Sequence, residues 1–275
     1  MKALAPGLIL QLMYLRARLR RLPSGRFIEV GPGAGEVTQL LLSQGWHGCS
    51  YELDPISARR LRERFARPIA EGRYRVLCGD YIDACEPGDN ADLVVSCMVM
   101  EHLDDVAERA FLARSAAALR NGGRMITIVP GSPEHWGIED DIAGHFRRYT
   151  RDGIRALMRD NGWTLWTLDG LTYPLSNALL PMSNRLVARS EGSMLDADKT
   201  DRTKASGRRS VRFKTDFPAV LGWLLNPVTM YPLFLLQRIF RNARGALVLC
   251  FEATPHSSPT TALGRARAVD DTATP

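Results

Sequence analysis

The sequence of 275 residues lacks the paired cysteines that mark disulfide-bonded domains and zinc sites. Its five cysteines form no C-x-x-C pair and most lie in or beside apolar runs: Cys49, Cys78, Cys85, Cys97 and Cys250. This pattern is typical of buried thiols in a reducing compartment rather than of metal ligands. Since the N-terminal segment also has no clear signal-peptide cleavage site, the sequence predicts a cytoplasmic protein without a bound metal.

Acidic residues are absent from positions 1–26, which carry six basic residues, and nearly absent from 199–214, where seven basic residues face Asp201 alone. These two segments together hold more positive charge than the whole chain, whose formal net charge is +6, so the remainder is net acidic. A basic rim on an acidic body does not favour nucleic-acid binding. We therefore expect no nucleic-acid partner.

Two apolar segments stand out from the rest of the chain. Leucines recur at helical spacing over residues 3–22 with arginines between them, which predicts an amphipathic helix. The stretch 217–237 has no charged residue and is long enough to span a bilayer, but three prolines interrupt it. It is interpreted as a lid or hydrophobic contact surface. Peripheral membrane contact through 1–22 or 217–240 is an alternative, and true membrane spanning is a further one.

Short β-rich runs alternate with helical stretches between residues 26 and 129. The β-rich runs cover 26–30, 48–52, 74–78, 91–96 and 124–129, and the helical stretches cover 35–44, 56–66 and 105–120. A helix over 151–161 and β-rich runs over 163–171 and 246–253 follow. Such alternation predicts a parallel sheet with helices on both faces, whose ligands bind at the carboxyl ends of the strands.

The first β-rich run leads into a glycine turn. Gly31, Gly33 and Gly35 let the backbone approach a ligand closely and expose the N–H groups of the helix that follows. A dinucleotide site requires a glycine where this chain has Glu36, whose carboxylate would repel a pyrophosphate. The turn therefore suits a ligand without phosphates that carries a positive charge, which Glu29 can face.

Acidic residues also follow the second and third β-rich runs. Glu52, followed by Leu53, can accept two hydrogen bonds from a ribose diol. Asp80 can accept from an adenine amino group, and Tyr81 offers an apolar neighbour for the ring. Three carboxylates at successive strand ends indicate a nucleoside-like ligand.

Together these motifs resemble the class I S-adenosylmethionine-dependent methyltransferases over roughly 25–170 and the final strand. The glycine motif covers 29–35, the fourth-strand motif 92–102 and the fifth-strand entry 119–123. The resemblance implies an α/β, Rossmann-like, mostly parallel sheet of seven strands with helices on both faces and an antiparallel last strand. It also implies S-adenosyl-L-methionine as the cofactor, S-adenosyl-L-homocysteine as the product, and these cofactor-binding residues: Glu29, Gly31, Gly33, Gly35, Glu52, Leu53, Asp80, Tyr81 and Cys97.

The resemblance divides the chain into three parts. Residues 1–24 form the N-terminal helix and residues 25–253 the methyltransferase domain. Within that domain, 172–244 is an insertion that acts as a lid or binds the acceptor. Residues 254–275, rich in Thr, Ser, Ala and Pro, are expected to be a disordered tail.

Methyl transfer from a sulfonium depends mostly on positioning, and a general base adds roughly 10²–10⁴-fold. His102 and His145 are the candidate bases, although a structural or capping role for His102 is an alternative. The segment around His145 resembles one in enzymes of sugar, lipid and secondary-metabolite pathways. His145 and Tyr149 are therefore assigned to catalysis.

Arg147 and Arg148 are assigned to binding an anionic group of the acceptor. The alternative is that both pair with Asp140 and Asp141 and fix the loop. The leading hypothesis for the whole protein is O- or N-methylation of a small molecule. An RNA methyltransferase and a non-catalytic, membrane-associated binding module are the alternatives, and the oligomeric state is left open.

Overall fold

The computed structural model describes residues 3–84, 90–191 and 217–256. In this part of the chain one sheet contains seven strands: β1 Arg26–Val30, β2 His47–Glu52, β3 Tyr74–Cys78, β4 Ala91–Cys97, β5 Leu119–Pro130, β6 Trp163–Leu171 and β7 Val248–Pro255. The helices around it are α1 Pro6–Leu19, α2 Glu36–Ser43, α3 Pro55–Arg64, α4 Ala66–Ala70, α5 Tyr81–Ala84, α6 Asp105–Ala118, α7 Ile138–Ala143, α8 Arg151–Asp160, α9 Leu175–Glu191 and α10 Tyr231–Ile239.

The strand order is β3-β2-β1-β4-β5-β7-β6. Neighbours from β3 to β5 are parallel, whereas β7 is antiparallel to both β5 and β6. This arrangement confirms the predicted Rossmann-like sheet and its antiparallel last strand. The strand order reverses between β1 and β4, where sheets of this type bind their ligands.

Most predicted strands occur where the sequence places them, and the differences have local causes. The last strand runs over Val248–Pro255 rather than 246–253. The fifth begins at Leu119 instead of 124, because a register shift lets Leu119 pair with Ala91 before the regular ladder begins. The helix predicted over 56–66 is α3, whose first turn is capped by Asp54 accepting from the Ser57 N–H.

Two apolar clusters cover the two faces of the sheet. Phe27 belongs to one cluster and Ile28 to the other, as expected of adjacent strand residues that point to opposite faces. Helix α1 packs on the first face and buries Leu10, Leu15 and Leu19. It begins at Pro6 instead of residue 3, since proline has no N–H to contribute and suits the first helical turn.

The described part of the 172–244 segment is largely helical. It contains α9, which the sequence analysis did not predict, and α10. The apolar stretch 217–237 is divided between a short 3-10 helix at Ala219–Trp223 and α10. Across residues 3–84, 90–191 and 217–256, no helix combines the length and the apolar character needed to cross a bilayer.

Several predictions fall partly outside the described residues. Of the expected disordered tail 254–275, positions 254 and 255 belong to β7, and positions beyond 256 lie outside the described residues. The whole basic stretch 199–214 lies outside them as well, as does Cys85. Among the other cysteines, Cys49 and Cys250 are buried but Cys78 is exposed, contrary to expectation.

Candidate active site

Two cavities meet at the carboxyl end of β4. The first, here called the strand-end cavity, has a volume of about 300 Å³. It is lined by residues that follow β1 to β4 and by part of α6: Val30, Gly31, Gly33, Tyr51, Glu52, Leu53, Asp54, Gly79, Asp80, Tyr81, Ile82, Met98, Val99, His102, Leu103 and Phe111. The second, the α9 cavity, has about 450 Å³ and is lined by α1, α7, α9 and the end of β5. Met98 lines both cavities, so they share a wall.

The glycine turn shapes the strand-end cavity at Gly31. This residue has a φ of +67°, and a Cβ there would lie 2.6 Å from Cγ2 of Val99. Gly35, with a φ of +89°, serves a different purpose, because its Cβ would lie 2.6 Å from the ring of Phe65. Gly31 therefore gives the ligand space, whereas Gly35 lets the start of α2 pack closely and does not line the cavity.

Glu52 is a buried carboxylate of the strand-end cavity, with 8% of its surface exposed. Its Oε1 accepts from the N–H of Asp54 at 3.0 Å. Burial raises the pKa of Glu52, although backbone N–H groups, including that of Gly33, act in the opposite direction. Its neighbour Leu53 is half exposed at the rim.

The opposite side of the cavity is aromatic. Tyr81 is buried, its ring meets that of Tyr51 edge-on at 5.3 Å, and its hydroxyl lies 3.2 Å from Ser115 Oγ. Asp80 is exposed and accepts from the Ile82 N–H at 2.8 Å, which caps the start of α5. Its carboxylate thus lies at the mouth of the cavity, within reach of solvent.

Glu29 does not point into the strand-end cavity, contrary to expectation. It is buried beneath β1, where Oε2 accepts from Thr38 Oγ1 at 2.5 Å and from Ser50 Oγ at 2.7 Å. Burial raises the pKa of Glu29 to about 7. The side chain thus ties β1 to β2 and α2. Cys97, the last residue of β4, also does not line this cavity.

The two candidate histidines lie beside each other, on opposite sides of the shared wall. His102 ends a 3-10 helix at Met100–His102 and lines the strand-end cavity, while His145 lines the α9 cavity. Their ring centroids are 4.8 Å apart, with the rings nearly perpendicular. Nδ1 of His145 lies 2.8 Å from Oδ1 of Asp140, which fixes the ring.

The two arginines have different partners. Arg148 donates to Oδ1 of Asp140 at 2.8 Å and to the Gly131 carbonyl at 3.1 Å, and it also lines the α9 cavity. Arg147 instead pairs with Asp105 at 2.7 Å and with Glu108 at 3.3 Å. The alternative in which the arginines pair with Asp140 and fix the loop therefore describes the contacts of Arg148. Arg147 instead binds residues of α6.

Tyr149 is buried and donates its hydroxyl hydrogen bond to Glu108. Burial and the neighbouring carboxylate both raise the pKa of this phenol. Tyr149 lines neither the strand-end cavity nor the α9 cavity. Its position suits a residue that holds α6 against the segment after β5.

Several residues of the site carry no signal that the sequence analysis used. Met98 and Val99 line the cavity from within the fourth-strand motif, and Phe111 reaches it from α6. Glu101 is fully buried, and neither carboxylate oxygen has a hydrogen-bond partner within the described residues. Burial raises its pKa to about 8. Helix α9 contains Pro181, which interrupts the sequence pattern of a helix, so its cavity-facing side chains gave no clear signal either.

Residues 7–168, more than half of the chain, match the family described as a methyltransferase domain. The chain therefore belongs to a methyltransferase family. Its sheet is that of the class I S-adenosylmethionine-dependent methyltransferases.

The chain is 45% identical over 60 residues to a probable ribosomal RNA small subunit methyltransferase A of Methanospirillum hungatei, over 22% of this chain and 23% of that protein. It is 34% identical over 83 residues to the uncharacterized methyltransferase YrrT of Bacillus subtilis, over 30% and 37% of the two chains. The matches thus span about a quarter to two fifths of these curated relatives.

Among solved structures, a putative sarcosine dimethylglycine methyltransferase from Galdieria sulphuraria is similar in fold. The TM-score is 0.56 at 11% identity, over 88% of this chain and 84% of that one. At this level of identity the likeness concerns the fold alone.

Proposed function

We propose that this protein transfers a methyl group from S-adenosyl-L-methionine to an oxygen or nitrogen of a small-molecule acceptor. The observation that carries the proposal is the pair of cavities that share Met98 as a wall. A methyl group has to pass directly from donor to acceptor, so the two ligands must occupy adjoining spaces with their reacting atoms in contact.

The strand-end cavity takes the cofactor. Glu52 accepts hydrogen bonds from the ribose diol, Asp80 faces the adenine amino group at the mouth, and Tyr81 supports the ring. The turn at Gly31 leaves room for the amino-acid portion. When bound, S-adenosyl-L-methionine supplies an electrophilic methyl group, and the residues of the chain orient it and exclude water.

The α9 cavity takes the acceptor. Its walls combine apolar side chains such as Leu179 and Leu186 with the polar groups of His145 and Arg148. This lining suits a compact molecule with an apolar body and one polar or anionic group. Holding the acceptor in line with the methyl group can supply on the order of 7–11 kcal/mol of the barrier.

His102 and His145 bring basic nitrogens to the wall between the two ligands, where the acceptor loses its proton. Tyr149 has a positioning role in this proposal, since its hydroxyl is bound to Glu108. Arg147 has a similar role through Asp105 and Glu108. Arg148 remains available to the acceptor through its place in the α9 cavity.

One observation favours RNA as the acceptor: the 45% identity to a probable ribosomal RNA methyltransferase. That match covers 60 residues, about a quarter of the relative, so its RNA specificity does not follow from the shared stretch. RNA is therefore the second candidate and a separate arm of the experiment.

The test incubates the protein with methyl-labelled cofactor and cell extract, then separates small molecules from RNA. We expect label in the small-molecule fraction. The Glu52→Ala variant should lose this transfer and bind the cofactor at least about tenfold more weakly, because hydrogen bonds to charged groups contribute about 1.5–3 kcal/mol. Glu63→Ala, an exposed glutamate on α3, is the matched control and should behave as wild type.

Label that enters only RNA would overturn the choice of a small-molecule acceptor. Cofactor binding without transfer into any fraction would support the non-catalytic alternative. Equal cofactor affinity for the Glu52→Ala variant and wild type would contradict the assignment of the strand-end cavity.

A further inference from the structure

The carboxyl group of Glu101 is buried beside the shared wall. It has 0% exposure, and its two oxygens have no hydrogen-bond partner in residues 3–84, 90–191 and 217–256. A carboxylate in such a place is costly unless a proton or a cation compensates for it. His145 Nε2 lies 3.9 Å from Oε1, too far for a hydrogen bond.

The contacts of His145 show which of its ring nitrogens faces Glu101. Nδ1 lies 2.8 Å from Asp140, a buried carboxylate that also accepts from Arg148 and from the Gly137 N–H. Because Oδ1 of Asp140 accepts from Arg148 and lies at hydrogen-bond distance from Nδ1, the contact is that of an Nδ1–H donating to a carboxylate. Nε2, on the other side of the ring, then faces Glu101.

Two electron-pair donors therefore face each other across a gap, and a third stands beside them. One ligand atom each from Glu101, His102 and His145 lie within 4.8 Å of one another. Ligand atoms bound tetrahedrally to one ion with bonds of about 2.1 Å are about 3.4 Å apart, so the side chains have to move together by up to about an ångström.

We propose that Glu101, His102 and His145 bind one divalent transition-metal ion at the wall between the two cavities. Two imidazoles and one carboxylate form a donor set that suits zinc, iron or a similar ion and leaves coordination positions open. Asp140 is the outer partner that fixes His145, as carboxylates commonly do for ligating histidines. The proposal replaces the expectation of a protein without metal.

The position of the ion suggests its part in methyl transfer, and this step rests on the proposed function. His102 lines the strand-end cavity and His145 the α9 cavity, so an ion bound by both would lie between the two ligands, where an acceptor hydroxyl could take one of its open positions. A hydroxyl bound there loses its proton to solvent more easily. The oxygen lone pair then forms the new O–C bond while the S–C bond breaks and its electrons remain on sulfur.

Metal binding is tested without turnover. The full chain is stripped with a chelator and titrated with Co²⁺, whose visible absorption reports coordination by nitrogen and oxygen. We expect one equivalent to bind. Glu101→Gln should weaken binding at least about tenfold, and Asp140→Asn about 10–100-fold through His145. His47→Gln removes an exposed histidine outside the cluster and should bind like wild type.

Circular dichroism and unfolding curves establish that each variant is folded. If Asp140→Asn does not fold, Glu101→Gln still tests the proposal, because glutamine has nearly the same shape as glutamate. The proposal is overturned if stripped wild type shows no Co²⁺ absorption, or if folded Glu101→Gln binds as tightly as wild type. Metal binding that persists while no methyl label is transferred would contradict the proposed function and leave the metal site standing.

Discussion

The strand-end cavity and the α9 cavity adjoin each other, but different interactions hold their walls. The strand-end cavity is built by backbone turns at the ends of parallel strands, and Glu29, a buried acid beneath β1 that lies outside this cavity, is hydrogen-bonded by two hydroxyl groups. The α9 cavity depends on ionic pairs after β5, where Asp140 is paired with Arg148. A buried acid therefore has neutral hydrogen-bond donors beside it in one region and a cation in the other.

This difference predicts opposite responses to substitution. Changes at the turns around the strand-end cavity should affect cofactor binding more than folding. Changes to the ionic pairs beside the α9 cavity should affect the stability of the segment around α7 more than cofactor binding.

The largest effect is expected for Arg148→Ala. Arg148 is 9% exposed and Asp140 fully buried, so removing the guanidinium leaves a buried charge without its cation. Breaking such a pair costs about 3–5 kcal/mol. Urea unfolding should show this loss of stability. The cofactor affinity of the folded variant should stay within about threefold of wild type, a difference in binding free energy well under 1.4 kcal/mol.

Arg159→Ala is the matched control, because Arg159 pairs with Asp160 at an exposed position. It should cost under about 1 kcal/mol. If Arg148→Ala is as mild as this control and only the KM for the acceptor rises, Arg148 binds substrate and does not fix the loop.

Glu29→Gln tests the other buried acid through pH. The pKa of Glu29 is raised to about 7, above its ordinary 4.5. Below 4.5 the group is protonated in both states, but between 4.5 and 7 only the unfolded chain loses the proton, so the free energy of unfolding falls as pH rises. The variant should lose this component and gain up to about 3 kcal/mol relative to wild type across that window.

The measurement is urea unfolding of both proteins at intervals from pH 4 to 8. Glu63→Gln, at an exposed position, should follow the wild-type curve. Parallel curves for Glu29→Gln and wild type would mean that Glu29 is ionised in the fold. The two hydroxyl groups would then suffice to compensate its charge.

The strand-end cavity could be predicted from the sequence because its parts are local. Gly31, Glu52 and Asp80 each follow a strand directly, and parallel strands bring their carboxyl ends to one edge. The direction of a side chain could not be predicted in the same way. Glu29 turns away from the cavity because Thr38 and Ser50, on neighbouring elements, bind it.

The α9 cavity could not be predicted, since its contacts join distant parts of the chain. Arg147 pairs with Glu108, 39 positions earlier, and no spacing rule relates them. Helix α9 was missed because Pro181 lies inside it and interrupts the pattern that predicts a helix. Regular repetition reveals the sheet, whereas pairing between segments becomes visible only in three dimensions.

Gly31→Ala should affect binding without unfolding the protein. The added Cβ would lie 2.6 Å from Val99 at a φ of +67°, so Val99 must move into the strand-end cavity. We expect cofactor affinity to fall about thirtyfold, or about 2 kcal/mol. Gly72→Ala, with a φ of +70° and no atom within 4 Å of the new Cβ, has the same backbone strain and should bind normally. Calorimetric titration measures the cofactor affinity of both variants. Equal affinities would mean that Gly31 does not shape the cofactor site.

The smallest effect is expected for Tyr149→Phe, which separates a catalytic phenol from a positioning one. Without the hydroxyl, Glu108 keeps Arg147 at 3.3 Å, so the loss should be about 1 kcal/mol of stability. The value of kcat should change less than about threefold, whereas loss of a general acid or base costs roughly 10²–10⁴-fold. Tyr81→Phe, which removes a buried hydroxyl next to Ser115 in the other cavity, is the matched control. A hundredfold fall in kcat for Tyr149→Phe, but not for Tyr81→Phe, would mean that the Tyr149 hydroxyl is catalytic. Its hydrogen bond to Glu108 would then have to break when the acceptor binds.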